Sequence, residues 1–207
     1  YDSGLIIANK DGAVEAWLAK EDERPKYYRN RVNAGLHVID PAVLDQVKIE
    51  PETIGTKDKN GKTIKVDLDR QLLKPLSGSG KMFCYDSPEY VKDMGTPERF
   101  TSVVTDYRSG TVQSKNLSNK QKAVFLDRDG VINKYVGFLR NIDELELNPT
   151  ITDAIKKINS SGYLCIVITN QPVIARGEMT WGELEEIHNK METELGFAGA
   201  YLDGIYF

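Results

Sequence analysis

Two carboxylates separated by a single residue, in Asp127-Arg128-Asp129-Gly130, follow directly on the apolar run Ala123-Val124-Phe125-Leu126. On extended chain, residues two apart point to one side, and Gly130 permits the sharp departure that exposes them. Such a pair repels itself and any phosphate unless a divalent cation lies between, and oxygen ligands of this kind suit Mg2+. Asp127 is then the candidate nucleophile, attacking phosphorus to form an aspartyl-phosphate and splitting one hard displacement into two easier ones. Asp129 is the candidate acid/base, protonating the leaving oxygen and then deprotonating the water that hydrolyses the intermediate. A second apolar run ends in Ile168-Thr169-Asn170-Gln171, which supplies a hydroxyl, amides and backbone N–H groups for phosphate oxygens. The competing reading, that the two aspartates merely cap a turn, has to ignore both the buried strand before them and the Thr-Asn pair downstream.

The elements around these residues alternate. The run 123–126 reads as a parallel strand buried on both faces, and in an open parallel sheet ligands bind beyond the carboxyl ends of the strands. Ile151, Ala154, Ile155 and Ile158 recur at helical spacing, with Gly162 placed to close that helix. Tyr163 to Ile168 is a second buried strand. Thr180-x-x-Glu183 has the form of a capping box, opening a helix that turns Leu184, Ile187, Met191 and Leu195 inward. A third strand is expected to begin at Ala200-Tyr201-Leu202. Strand, helix, strand, helix, strand predicts an α/β fold with right-handed crossovers.

Ahead of this lies a polar stretch, Ser109 to Lys122, rich in Ser, Asn and Lys and without apolar periodicity, as a linker should be. The division expected is 1–109, a linker over 110–122, and 123–207. In the first part, Leu5–Ala8 and Ala13–Leu18 flank the turn Asn9-Lys10-Asp11-Gly12 as a hairpin. Gly35–Ile39 and Lys81–Tyr85 read as further strands, and Asp40 with Pro41 would start a short helix carrying Val43 and Leu44. Lys57 to Lys65, around Asn60-Gly61, reads as a hairpin turn or exposed loop. Phe100, Val103, Val104 and Tyr107 mark the stripe of a helix.

Composition sets the outer bounds. The chain has 207 residues, and 27 Lys and Arg against 31 Asp and Glu give a net charge of -4, so no basic excess exists to hold nucleic acid. Tyr27-Tyr28-Arg29-Asn30-Arg31 is a single short basic patch and is read as a loop contact. No apolar run approaches membrane-spanning length. Cys84 and Cys165 stand far apart in apolar runs, which fits a reducing, cytoplasmic setting better than a disulfide framework. His37 and His188 lack clustered ligands and are read as structural. The partners expected are small molecules, with neither nucleic acid nor membrane among them; the oligomeric state is open.

Asp127-Arg128-Asp129-Gly130-Val131-Ile132-Asn133 resembles the first motif of the haloacid dehalogenase phosphatase superfamily, and Ile168-Thr169-Asn170 its second. The string from Val167 to Gly177, ending Ile174-Ala175-Arg176-Gly177, is similar to the branch of D-glycero-D-manno-heptose 1,7-bisphosphate phosphatases, with histidinol-phosphate phosphatases more distant. The resemblance runs from Lys122 to Phe207 and implies a partial Rossmann-like sheet. It implies that Asp127 is nucleophile and Mg2+ ligand, and that Asp129 is acid/base and offers its backbone carbonyl to the metal. Thr169 would bind the phosphoryl group, and Asn170, Gln171 and Arg176 would position substrate, though Arg176 reads equally well as a solvated charge. Pro172 stands where a small hydroxyl residue is usual, which removes an N–H from that contact. The family's lysine, a further acidic metal site and the Cys/His zinc loop of this branch would follow a segment like Leu202–Phe207. On the resemblance, any structural Zn2+ therefore belongs to a segment absent from this chain, and an incomplete phosphatase, inert alone, is expected.

Asn33–Asp40 and Tyr90–Phe100 resemble the later part of sugar-phosphate nucleotidyltransferases, a likeness taken over Tyr1–Tyr107. That resemblance implies Asp93 as a Mg2+ ligand, Lys20 as a sugar-phosphate-binding lysine and Asn33 as a neighbour of the sugar. Ala19 replaces the usual acidic neighbour of Lys20, and the family's glycine-rich signature is missing. Read blandly, Asp93-x-Gly95-Thr96-Pro97 is a turn before a helix. The leading expectation is a Mg2+-dependent sugar-phosphate phosphatase fused behind a nucleotidyltransferase domain, handling sugar phosphates and nucleotide sugars. The alternatives are a nucleotidyltransferase whose second half only regulates or scaffolds, a glycosyltransferase holding Mn2+ on Asp-Arg-Asp, and a non-enzymatic binding fragment.

Overall fold

The structure is a computed structural model that describes residues 4–44, 55–57, 60–63 and 67–207. The chain divides into two compact units, Tyr1–Arg24 with Arg31–Tyr85, and Pro25–Asn30 with Asp86–Phe207. The division thus falls after Tyr85, ahead of the polar stretch 110–122, and part of that stretch is itself helical.

In the first unit, β1 (Leu5–Ala8) and β2 (Val14–Leu18) form the expected antiparallel hairpin, Leu5 opposite Leu18 and Ile6 opposite Trp17. Asn9 closes the turn by accepting from the backbone N–H groups of Asp11 and Ala13. Ile6, Val14, Trp17, Leu72 and Leu73 make a small core. Leu72 and Leu73 come from a π-helical stretch, Leu68–Leu73, which continues as α2 (Lys74–Leu76) after the short α1 (Pro41–Leu44). Two expected strands do not form. Among the described residues Gly35–Ile39 finds no partner strand, and Leu36 and Val38 are exposed. Lys81–Tyr85 contributes a single bridge, Phe83 to Ala13, beside β2. Lys57 and Thr63 bridge across Gly61, whose φ of 75° suits the expected turn. The remainder of Lys57–Lys65 lies partly outside the described residues.

The second unit is α/β. After α3 (Pro97–Arg108) and α4 (Thr111–Ser114) come β3 (Ala123–Leu126), α5 (Ile151–Ser160), β4 (Leu164–Ile168), α6 (Pro172–Ala175), α7 (Trp181–Phe197) and β5 (Gly204–Tyr206). The three strands form a parallel sheet in the order β3-β4-β5, with Leu126 beside Val167 and Val167 beside Ile205. β5 starts later than the expected Ala200, because Ala200 packs into the core and Asp203 N–H is tied to the Cys165 carbonyl before pairing begins.

Cys165 and Val167 of β4 meet Ile151 and Ile155 of α5 and Leu184, Ile187, Met191 and Leu195 of α7 in one cluster. The inward helix residues are those the spacing predicts. Among the described residues, one face of the sheet carries the buried cluster and the other is much more open. Phe125 is 62% exposed, and Ile168 and Tyr206, which the pleat sets on the same side, are exposed too. The expectation that β3 is buried on both faces is therefore corrected. α3 likewise forms with Thr96 as cap but buries none of its residues.

α7 begins at the reciprocal Thr180–Glu183 capping box and carries the buried polar residues His188, Glu192 and Thr193, the last two of which face an earlier stretch of chain. The segment Pro25–Asn30 satisfies Glu192 and Thr193. Tyr28 N–H donates to Thr193 Oγ1, which donates to the Tyr28 carbonyl. Arg29 Nε and Asn30 N–H donate to Glu192 Oε2. Among the described residues no helix is long and apolar enough to cross a membrane. Because Leu184 is fully buried and Phe100 is 56% exposed, Leu184→Ala should cost about 3 kcal/mol of stability and Phe100→Ala less than about 0.5 kcal/mol, as read by urea unfolding followed by circular dichroism.

Candidate active site

Asp127 leaves the C-terminal end of β3, and Thr169 leaves the C-terminal end of the neighbouring β4, its N–H held by the Tyr206 carbonyl of β5. The parallel register, Leu126 against Val167, places both departures at one end of the sheet. Gly130 adopts φ 85°, a left-handed conformation costly for other residues, and its N–H donates to the Asn133 carbonyl at 2.8 Å. The chain thereby turns back on itself directly after the two aspartates. Asn148 pins the turn, its Nδ2 donating to the Val131 carbonyl at 2.8 Å.

The two aspartates sit differently. Asp127 is exposed, with one oxygen accepting from Arg128 N–H at 2.7 Å. Asp129 is drawn inward. Its Oδ1 accepts from Arg128 Nη2 at 3.1 Å and Asn133 Nδ2 at 3.2 Å, and its Oδ2 from Arg128 Nη2 and Gln171 Nε2, both at 2.9 Å. The same Gln171 Nε2 donates to Thr169 Oγ1 at 2.8 Å, so one amide spans the Thr169 hydroxyl and the Asp129 carboxylate. Asn133 must present its Nδ2 to Asp129, since the flipped amide would set oxygen against oxygen. That orientation leaves Asn133 Oδ1 buried without a partner.

Arg128 ties the arrangement together. Its side chain is fully buried, although the residue sits in a chemically exposed motif. Nη2 donates also to Gln171 Oε1 at 2.9 Å, and Nη1 faces Nε2 of His188 on α7 at 3.4 Å. Burial, then the nearby guanidinium groups of Arg128 and Arg29, lower the His188 pKa to about 3. Sequence reasoning missed Arg128 and Asn133 as site residues and took His188 as structural. The available signals were an arginine placed between the two aspartates that follow the apolar run 123–126 and a histidine at the i+4 position from Leu184, on the inward face.

The other expected site residues lie elsewhere or stand alone. Asn170 is exposed beside the network. Arg176 lies over the Phe138 ring at 4.7 Å. Asp93 is exposed in the turn before α3, where the Gly95 N–H and then Arg99 hold its carboxyl below the usual range. It joins no acidic cluster; among the described residues no three His, Cys, Asp or Glu side chains could hold a metal together. In the first unit, Lys20 lines a cavity of about 170 Å³ with Trp17, Asp67, Asp69, Arg70 and Lys74. Asn33 Nδ2 donates to Asp69 Oδ2 of that cavity at 3.1 Å.

No protein-family model matches the chain. It is 40% identical over 91 residues to a D-glycero-beta-D-manno-heptose-1,7-bisphosphate 7-phosphatase of Salmonella typhi, covering 44% of this chain and 48% of that one. It is 37% identical over 86 residues to a D-glycero-D-manno-heptose-1,7-bisphosphate 7-phosphatase of Thermosynechococcus vestitus, covering 41% and 44%. The chain thus spans a little under half the length of these curated relatives. Among solved structures, the D,D-heptose 1.7-bisphosphate phosphatase from B. bronchiseptica, complexed with magnesium and phosphate, matches with a TM-score of 0.40 at 33% identity, over 42% of this chain and 49% of that one.

A histidine whose folded pKa lies near 3, below an unfolded value of about 6.5, gives stability that is complete above pH 6.5 and lost as pH falls toward 3. Between pH 6.5 and 5 this amounts to about 2 kcal/mol. Urea unfolding at the two pH values should show that loss, and the difference between them should shrink by about the same amount in His188→Gln.

Proposed function

We propose that the second unit is a sugar-phosphate phosphatase of the haloacid dehalogenase type, acting on a heptose bisphosphate through an aspartyl-phosphate. The observation that carries this reading is the meeting of an open Asp127, a held Asp129 and the Thr169 hydroxyl at one end of a parallel sheet. The likeness to curated heptose bisphosphate phosphatases supports it from the sequence side.

Asp127, exposed and with one oxygen uncommitted among the described residues, is the group that can reach phosphorus. Its attack forms the Asp127 O–P bond, and the P–O bond to the sugar breaks. The sugar oxygen takes its proton from Asp129, which then recovers one from the water that attacks phosphorus. That second attack breaks the Asp127 O–P bond, releasing phosphate and restoring the carboxylate. As it stands, Asp129 accepts from three different side chains, the posture of a base ready to take a proton. To give a proton up, one of those contacts must open, and the Gln171 amide, shared with Thr169, is placed to do so when phosphate arrives.

The oxygen donors here fit a hard cation such as Mg2+, which keeps several waters and takes one or two protein ligands together with substrate phosphate. The Asp127 carboxylate and the Asp129 main-chain carbonyl would hold it; the Asp129 carboxylate is already occupied by nitrogen donors. When bound, the cation offsets the repulsion between Asp127 and the phosphate oxygens. Two cysteines as far apart in the sequence as Cys84 and Cys165 suit a reducing, cytoplasmic compartment better than a disulfide framework.

A second reading concerns the first unit, a nucleotidyltransferase segment joined to the phosphatase. It is supported by the cavity that Lys20 lines and by the bond from Asn33 to Asp69, another residue lining that cavity. Both activities would then serve the formation of a nucleotide-activated heptose.

Phosphate release from D-glycero-D-manno-heptose 1,7-bisphosphate tests the first reading, with Asp127→Asn expected to lower kcat by about a thousandfold or more. Equal release by the two forms removes Asp127 from its role. For the second reading, Lys20→Ala should lower nucleotide-sugar formation from the sugar 1-phosphate by about tenfold through KM, and formation of that product with no phosphate release would favour a non-catalytic second half.

A further inference from the structure

Arg128 lies between two residues whose side chains the chemistry needs, yet its own side chain takes the opposite course. On extended chain, neighbours alternate, so Asp127 and Asp129 share one side and Arg128 is sent into the protein. There it is fully buried, and its guanidinium returns to grip the carboxylate of its own neighbour. Such a grip between adjacent residues needs an anchor at the far end, because a free guanidinium could rotate about its long stem.

The anchor is His188. Arginine nitrogens can only donate, so the Nη1 contact at 3.4 Å makes Nε2 of His188 the acceptor and leaves the ring proton on Nδ1. The imidazole is itself held, its ring 4.9 Å from that of Phe207, which lies 5.9 Å from Trp181. Burial keeps the ring neutral through the physiological range, so the acceptor is always present. α7 is fixed in turn at its start by the Thr180–Glu183 box and further along by Glu192 and Thr193 bonding to residues 28–30.

We propose that Arg128 and His188 are positioning residues for Asp129: His188, carried on α7, sets the plane of the Arg128 guanidinium, and that plane sets the orientation of the Asp129 carboxylate. This rests on the reading of Asp129 as the acid/base, and it adds to the chemistry a residue 59 positions away that touches neither substrate nor phosphorus. The alternative is a histidine that merely fills core space, and the two differ in what a replacement must retain. Glutamine keeps an acceptor near Nε2; leucine keeps the volume and loses the acceptor.

The test uses the intact protein, with phosphate release from heptose bisphosphate and nitrogen-15 spectra of the histidine ring. We expect His188→Leu to lower kcat about tenfold with KM within twofold, and His188→Gln to recover most of that loss. The wild-type spectrum should show Nε2 unprotonated, and its shift should move in Arg128→Met. Full kcat in a folded His188→Leu protein overturns the proposal, as does an equal loss in the leucine and glutamine variants. A protonated Nε2 overturns it as well, with no reference to turnover. If Asp127→Asn and Asp129→Asn both keep full activity, the assignment of the phosphatase site to these aspartates has failed, and the ring spectrum still decides whether the His188 to Arg128 contact exists.

Discussion

A guanidinium shut away from water is the constraint on which the second unit turns. An isolated buried cation is prohibitively costly, and it persists only where an opposite charge and enough acceptors surround it. Arg128 meets that demand with the carboxylate of Asp129, the amide oxygen of Gln171 and the imidazole of His188. These acceptors come from the turn after β3, the loop after β4, and α7. Satisfying one cation therefore requires three separated stretches of chain to converge, and the convergence point is the end of the sheet where Asp127 stands open.

The same logic runs along α7. Its inward stripe of Leu184, Ile187, Met191 and Leu195 is ordinary amphipathic packing, but His188, Glu192 and Thr193 are buried with it. A buried polar group needs a partner, and each of these three side chains has one. His188 faces Arg128, while Glu192 and Thr193 take the backbone of residues 28–30. A segment distant in sequence thus becomes part of the second unit because α7 offers acceptors that nothing nearer fills.

Apolar residues are not all used this way. α3 forms on local grounds alone, with a Thr96 cap and Pro97 at its first turn, and its stripe stays out of the core. Phe125 has the hydrophobicity of a core residue and sits on the uncovered face of the sheet. In the first unit, Leu36 and Val38 sit in a stretch with strand-like composition, yet among the described residues no strand pairs with it, and they remain exposed. Local preference produced the helix; burial and pairing depend on what the rest of the chain brings.

The α/β alternation, the capping box at Thr180, the inward positions of α7, the hairpin of β1 and β2, and the aspartates with Thr169 at strand ends were legible in the sequence. Each depends on spacing, on a cap or on a turn residue, and those act over a few positions. What only the tertiary structure decided was which face of the sheet is covered, that β5 begins at Gly204, and that Arg128 rather than solvent holds Asp129. It also decided that Lys20 lines a cavity to whose Asp69 Asn33 is bonded, while Asp93 pairs with Arg99. These outcomes rest on partners tens of residues away, and a buried charge chooses its partners by proximity in space, which no periodicity along the chain records.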